Sequence, residues 1–235
     1  MAITTPKSAF LQGLVDGSPF LLVIIPFSML FGLIATEAGL TVFESLTFSV
    51  VVIAGASQFT ALQLMQENAP TLVVLASALA VNLRMAMYSA SLTPWIGAAP
   101  LWQRAIAAYL TVDQSYVVSI SKYEADPTMT VPQRMGYFFG AVSAVAPLWY
   151  VFTYIGALLG TSVPDSWALD FALPITFLAM IAPMFRTLAH VVAALVAVVT
   201  ALLAVSLPWS LGLIVAGTAG MIAGAQTERW QAARA

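Results

Sequence analysis

The sequence predicts an all-α protein: a polytopic transmembrane helical bundle of about eight spans, with interrupted helices and an internal repeat. Composition and length carry this expectation. Of 235 residues, 61% are hydrophobic and 8% are charged, where an ordinary globular protein has roughly 25% charged residues. A water-facing surface needs about 25 to 35% charged residues, more than this chain holds even with every charge exposed. At roughly 20 residues per span plus short loops, the length accommodates about seven or eight crossings and almost nothing outside the bilayer. Residues 1–235 therefore read as a single transmembrane domain, and any function sits within the lipid bilayer.

The elements follow in order. Residues 1–18 form a short N-terminal segment in which Phe10, Leu11, Leu14 and Val15 share one side ahead of the breaker run Asp16-Gly17-Ser18-Pro19. This predicts an interfacial helix feeding the first span. Span 1 covers 19–36. Span 2 covers 44–66 and is interrupted at Gly55-Ala56-Ser57-Gln58, a small and polar stretch in a Val- and Ile-rich helix. Span 3 covers 71–92 and stops at Thr93-Pro94, and span 4 covers 101–121. Residues 122–134, with Glu124, Asp126, Pro127 and Pro132, are the most polar stretch and read as the main loop. Span 5 covers 137–159, followed by a turn through Pro164 and Asp165. Residues 170–207 divide into spans 6 and 7, with Pro183, Arg186 and His190 near the junction, and span 8 covers 209–225.

Basic residues are retained on the cytoplasmic side. Eight spans place Lys7, Lys122, Arg134, Arg186, Arg229 and Arg234 together and only Arg104 opposite, with both termini cytoplasmic; seven spans would split that set. Residues 44–62 also align with 170–188, matching Phe59 to Phe185 and the Ser57 break to Pro183, while Pro26 matches Pro147. Duplicated halves with matching interruptions are how many secondary transporters are built. Net charge is −2 without a basic run, so nucleic acid has no footprint. Cysteine is absent and histidine occurs once, which excludes the usual metal-ligand sets and thiol chemistry. No cofactor motif is present, and nothing at the N-terminus reads as a removable signal peptide.

A charge near the middle of a span costs about 2.5 to 3.5 kcal/mol on insertion scales, so such residues are kept for use or for packing. Three groups fall near the midplane: Ser57 with Gln58, Asn82 with Arg84, and Asp113 with Gln114; Tyr88 shares a polar stripe with Arg84. A helix that unwinds at Gly55 presents the positive end of a half-helix dipole to an anionic group; close packing of a small-residue face is the alternative. Arg84 offers a planar fork for a carboxylate, either a substrate's or that of Asp113. Asp113 suits a proton carrier, an ammonium ligand or a partner for Arg84, and a zwitterion entering between the two would exchange one internal ion pair for two ligand contacts. His190 is either a packing residue or a proton relay. Phe59, Met65, Met85, Met87 and Trp95 are candidates to wall an apolar side-chain pocket.

These motifs are similar to those of a known family. Ile53-Ala-Gly-Ala-Ser-Gln-Phe59 resembles the signature of the AzlC family, the larger subunit of two-component branched-chain amino acid exporters. Asp16-Gly-Ser-Pro19 with Pro26-Phe27 and Phe31-Gly32, Asn82-Leu-Arg84 with Tyr88 and Leu92-Thr-Pro94, and Leu169-Asp-Phe-Ala-Leu-Pro174 leading to Pro183 and Arg186 agree as well. The chain departs at Met85, where the family usually has His, and at Gln114, where it usually has Glu. The resemblance implies export of Leu, Ile, Val or related amino acids across a bacterial cytoplasmic membrane, with a small AzlD-type membrane partner.

Residues and resemblance together predict a secondary transporter subunit, not an enzyme, working by alternating access with the proton gradient as its driving force. Asp113 and His190 are the candidate coupling groups, and Gly55, Ser57, Gln58, Phe59, Asn82, Arg84, Tyr88, Asp113 and Gln114 the candidate substrate contacts. The rival readings are an intramembrane serine protease using Ser57 and His190, and a passive small-solute channel. The protease needs the two residues within hydrogen-bond reach, and the channel needs a polar lining along a whole pore.

Overall fold

The computed structural model describes residues 5–160, 185, 187–207 and 211–234. Helices dominate, and no strand occurs among the described residues. The turn at Pro164 and Asp165, the 170–182 half of the repeat, Pro183 and Arg186 lie outside them. The chain gathers into two compact units, one of residues 1–58 and 82–164, the other of 59–81 and 165–235.

In the first unit, α1 (Pro6–Gly17) starts with Thr5 as N-cap: its side chain accepts the Ser8 N–H at 3.1 Å, and Pro6 takes the first turn, where no N–H is needed. The run Asp16-Gly-Ser-Pro does not end in a loop. A single 3-10 turn (Ser18–Phe20) carries the chain straight into α2 (Leu21–Glu37). The helix expected ahead of the first span is thus α1, and it feeds that span without a loop, in a helical run from Pro6 to Glu37 long and apolar enough to cross a membrane.

Its partner explains why. Helix α8 (Val131–Gly160) lies along α1 and α2 in parallel, so close that a Cβ at Gly13, Gly17, Gly32, Gly136, Gly140 or Gly156 would meet backbone atoms of the facing helix. Gly17 in the breaker run is there for this approach, against Ala141. Small residues that let backbones touch are the main source of helix association where lipid competes for apolar side chains.

Between these lie α3 (Val42–Val51), α4 (Gly55–Gln66), α5 (Thr71–Ile96), α6 (Leu101–Tyr109) and α7 (Asp113–Ala125). A Thr41/Glu44 capping box opens α3, with Thr41 N donating to Glu44 Oε2 at 2.7 Å. Three boundaries differ from expectation. Helix α5 runs through Thr93-Pro94 to Ile96, with Thr93 Oγ1 donating to the Ser89 carbonyl at 2.8 Å. The 122–134 loop shrinks to 126–130, because α7 reaches Ala125 and α8 opens at Val131 with Pro132 in its first turn. There Gln133 reaches back to accept the Thr130 N–H at 2.7 Å. Span 4, expected to be continuous, is broken at 110–112.

In the second unit α4 ends in a left-handed Asn68 (φ 55°), with Ala69 N bonded to the Leu64 carbonyl at 2.9 Å. Helices α9 (Leu188–Leu203) and α10 (Leu211–Ala232) form an antiparallel hairpin in which Gly212 faces Ala204 and Gly220 faces Ala193.

Candidate substrate site

Two helices are interrupted at the middle of their length. The first break, 52–54, separates α3 from α4, with Val52 leaving helical geometry at φ −123° and ψ 86°. Gly55 opens α4 with the rings of Phe27 and Trp149 packed where a Cβ would stand. One turn on, Gln58 is fully buried; its Nε2 donates to Ser49 Oγ at 3.0 Å, and Ser49 Oγ donates to Thr153 Oγ1 at 3.2 Å. Gln58 Oε1 and Trp149 Nε1 are buried without a hydrogen-bond partner among the described residues. Among the described residues, the side chains that these contacts bring to the break are neutral.

The second break, 110–112, places Asp113 at the first position of α7, behind an extended Val112 (φ −129°, ψ 167°). An acidic group there faces the positive end of the helix dipole. Ser115 Oγ accepts the Val112 N–H at 3.0 Å, and Thr111 Oγ1 donates to the Ala107 carbonyl at 2.7 Å, so the broken backbone keeps partners. The two breaks touch. Tyr109 at the end of α6 donates through its hydroxyl to the Val50 carbonyl in the last turn of α3, and it shares a 3.1 Å hydrogen bond with the Tyr150 hydroxyl. Ile53 packs against both apolar clusters beside the second break, the one holding Ala107 and the one holding Val112.

Asp113 is held from two directions. Arg84 Nη2 lies 3.1 Å from Asp113 Oδ2, and the Tyr88 hydroxyl donates to Asp113 Oδ1 at 2.9 Å. Tyr88 stacks on Tyr116 with centroids 4.2 Å apart, and the Tyr116 hydroxyl meets Ser91 Oγ at 3.1 Å. The Arg84 and Asp113 side chains are 24% and 34% exposed, so the pair can be reached. Arg84 Nε and Asn82 Oδ1 are buried and have no partner among the described residues. Arg84 is thirteen residues from Thr71 and twelve from Ile96; Asp113 is twelve from Leu101 and twelve from Ala125. At 1.5 Å rise per residue this puts the pair near mid-depth of both segments. The arrangement suits a zwitterion: it offers a guanidinium N–H, a carboxylate, and two uncharged buried atoms at the neighbouring break.

Of the expected site residues, Arg84, Tyr88 and Asp113 come together, while Gly55, Ser57 and Gln58 share the first turn of α4. Asn82 is on α5 two residues before Arg84, and Gln114 is a partly exposed neighbour of Asp113. Phe59 is buried and falls in the second unit. Ser57 is 2% exposed, whereas His190, in the first turn of α9, belongs to the second unit and is exposed. Among the pocket-wall candidates Met87 and Met65 are exposed, and Trp95 lies under the Arg134 guanidinium at 4.9 Å.

Sequence reading missed Ser49, Thr153, Tyr150 and Trp149, which are ordinary residues in apolar helices until the fold assembles them. It also missed the Tyr137 hydroxyl donating to Asp16 Oδ2 at 2.6 Å between α8 and α1. An aspartate within an apolar run was the available signal there.

Long apolar helices, two mid-segment breaks and an ion pair at the middle of its helices define a multi-pass helical membrane protein with a polar centre. The chain belongs to the AzlC family, whose model, described as AzlC protein, matches residues 19–163. It is 28% identical to the inner membrane protein YgaZ of Escherichia coli, over 97% of this chain and 93% of that protein. It is 29% identical to an uncharacterized membrane protein of Archaeoglobus fulgidus, over 75% of this chain and 77% of that one. No solved structure matches.

Proposed function

We propose that the chain is a secondary transporter subunit that exports branched-chain or related amino acids by alternating access, driven by the proton gradient. One observation carries the reading: the Arg84–Asp113 pair stands where two helices break or pass at mid-segment, partly open and with unused hydrogen-bonding capacity beside it. In this reading the substrate carboxylate takes Arg84 and the positive end of α4, while the ammonium takes Asp113. The internal ion pair opens as the two ligand contacts form, so no charge is left unpaired in the membrane. Asp113 is then the first candidate to exchange the coupling proton and His190 the second.

A small AzlD-type membrane subunit as partner and cytoplasmic termini belong to the same proposal. A pocket that reads a hydrocarbon side chain separates substrates differing by one methylene by only about 1 to 3 kcal/mol, so leucine, isoleucine and valine are all expected as cargo. The test is flux of labelled leucine in proteoliposomes holding the chain alone or with a small AzlD-type subunit. Expected are transport stimulated by a pH gradient and its collapse in Arg84→Ala and Asp113→Asn. Undiminished transport by both variants removes the assignment.

A further inference from the structure

Two orphaned polar atoms lie at the first break, one a donor and the other an acceptor. Trp149 is 5% exposed and its indole Nε1–H has no acceptor among the described residues; Gln58 is fully buried, with its amide nitrogen committed to Ser49 and its Oε1 left over. A buried polar group without a partner costs about 1 to 3 kcal/mol, so a close-packed helix pair retains two of them only when something else completes them. They are also neighbours in the fold. The Trp149 ring sits against Gly55, the first residue of α4, and is braced at 5.8 Å by Phe27; Gln58 follows three residues later. Thr153, one turn beyond Trp149 on α8, ends the chain of hydroxyls that fixes the Gln58 amide.

We infer that Trp149 and Gln58 form an uncharged reader of the amino acid headgroup, the indole N–H donating to the α-carboxylate and Gln58 Oε1 accepting from the α-ammonium. This rests on the transport reading above and names two contacts within it. The positive end of α4, against which the six-membered ring of Trp149 packs, favours the carboxylate end of the headgroup at this break. A carboxylate has two oxygens and an ammonium three hydrogens, so the pair adds to Arg84 and Asp113 without displacing them. The absence of any Cβ at Gly55 keeps the indole against the helix end. Trp149 is thereby a specificity residue: a ligand lacking the carboxylate leaves its N–H unpaired, and hydrogen-bonding sites discriminate against such ligands far more sharply than apolar walls do.

The test follows the Trp149 indole N–H resonance of the intact protein in nanodiscs, assigned with Trp149→Phe, during titration with leucine, isovalerate and isoamylamine, which keeps the ammonium and the side chain but has no acceptor in place of the carboxylate. Saturable shifts with leucine and isovalerate, and none with isoamylamine, are expected. Trp149→Phe, which keeps an aromatic ring against Gly55 and Phe27, should weaken leucine about tenfold and leave isoamylamine unchanged. A resonance that leucine and isovalerate leave in place, or that isoamylamine moves equally, overturns the assignment whatever the protein transports. A shift with isovalerate but not leucine keeps the carboxylate contact and removes the amino acid reading instead.

Discussion

The two broken helices have nearly the same outline and opposite chemistry. Each is a short helix, three non-helical residues and a longer half-helix: 42–51, 52–54 and 55–66 in one, 101–109, 110–112 and 113–125 in the other. The first is lined by neutral groups among the described residues, with Gln58, Ser49 and Thr153 fully buried. The second carries the Arg84–Asp113 pair and leaves it partly open. Charge is placed where a counter-charge, a helix end and some exposure share its cost; at the fully buried break the described polar groups are an amide, hydroxyls and an indole.

This contrast yields a graded set of substitutions. Gln58→Glu puts a carboxylate into a fully buried position with no cation beside it among the described residues, and should lower stability by about 3 kcal/mol, roughly 10 °C in Tm, by thermal unfolding in detergent. Tyr88→Phe removes one of the two bonds to Asp113 and should weaken leucine by about fivefold to tenfold while the protein stays folded, measured by equilibrium binding. Tyr109→Phe takes the donor from the Val50 carbonyl and unlinks the breaks. It should cost about 1 kcal/mol, seen as faster amide exchange at 50–54 and 109–113 with the rest of the chain unchanged. Gln114→Glu adds a charge at the open break and should change stability by less than about 0.5 kcal/mol in the same thermal assay. A Gln114→Glu effect as large as that of Gln58→Glu would show that the two breaks do not differ in this way.

The two breaks also differ in how legible they were. Gly55-Ala56-Ser57 reads as an interruption because small residues replace Val and Ile in an otherwise apolar helix. Leu110-Thr111-Val112 contains neither Gly nor Pro, and the helix stops there because Tyr109, Thr111 and Ser115 find partners outside the helical ladder. The one local hint was Asp113, an acid suited to a helix start. At Asp16-Gly17-Ser18-Pro19 the breaker residues do end α1, but the 3-10 turn that carries the chain on into α2 and the close approach of Gly17 to Ala141 leave no mark in the sequence. The pairing of Arg84 with Asp113 was legible from depth alone, since two opposite charges near the middle of apolar segments have few other partners. Neither the indole at Gly55 nor the hydroxyl chain to Gln58 leaves any periodic trace, because each depends on which face α8 turns to α4.

An ion pair that only holds the fold and one that also receives a substrate respond differently to exchange of its members. The decisive measurement is leucine affinity alongside Tm in Arg84→Asp, Asp113→Arg and the two combined. The account predicts that each single variant loses stability and binding, and that the combination recovers Tm because opposite charges meet again, while leucine affinity stays at least about tenfold weaker because the carboxylate and ammonium subsites are reversed. Recovery of leucine affinity together with Tm in the combined variant, or wild-type affinity in either single one, would contradict it.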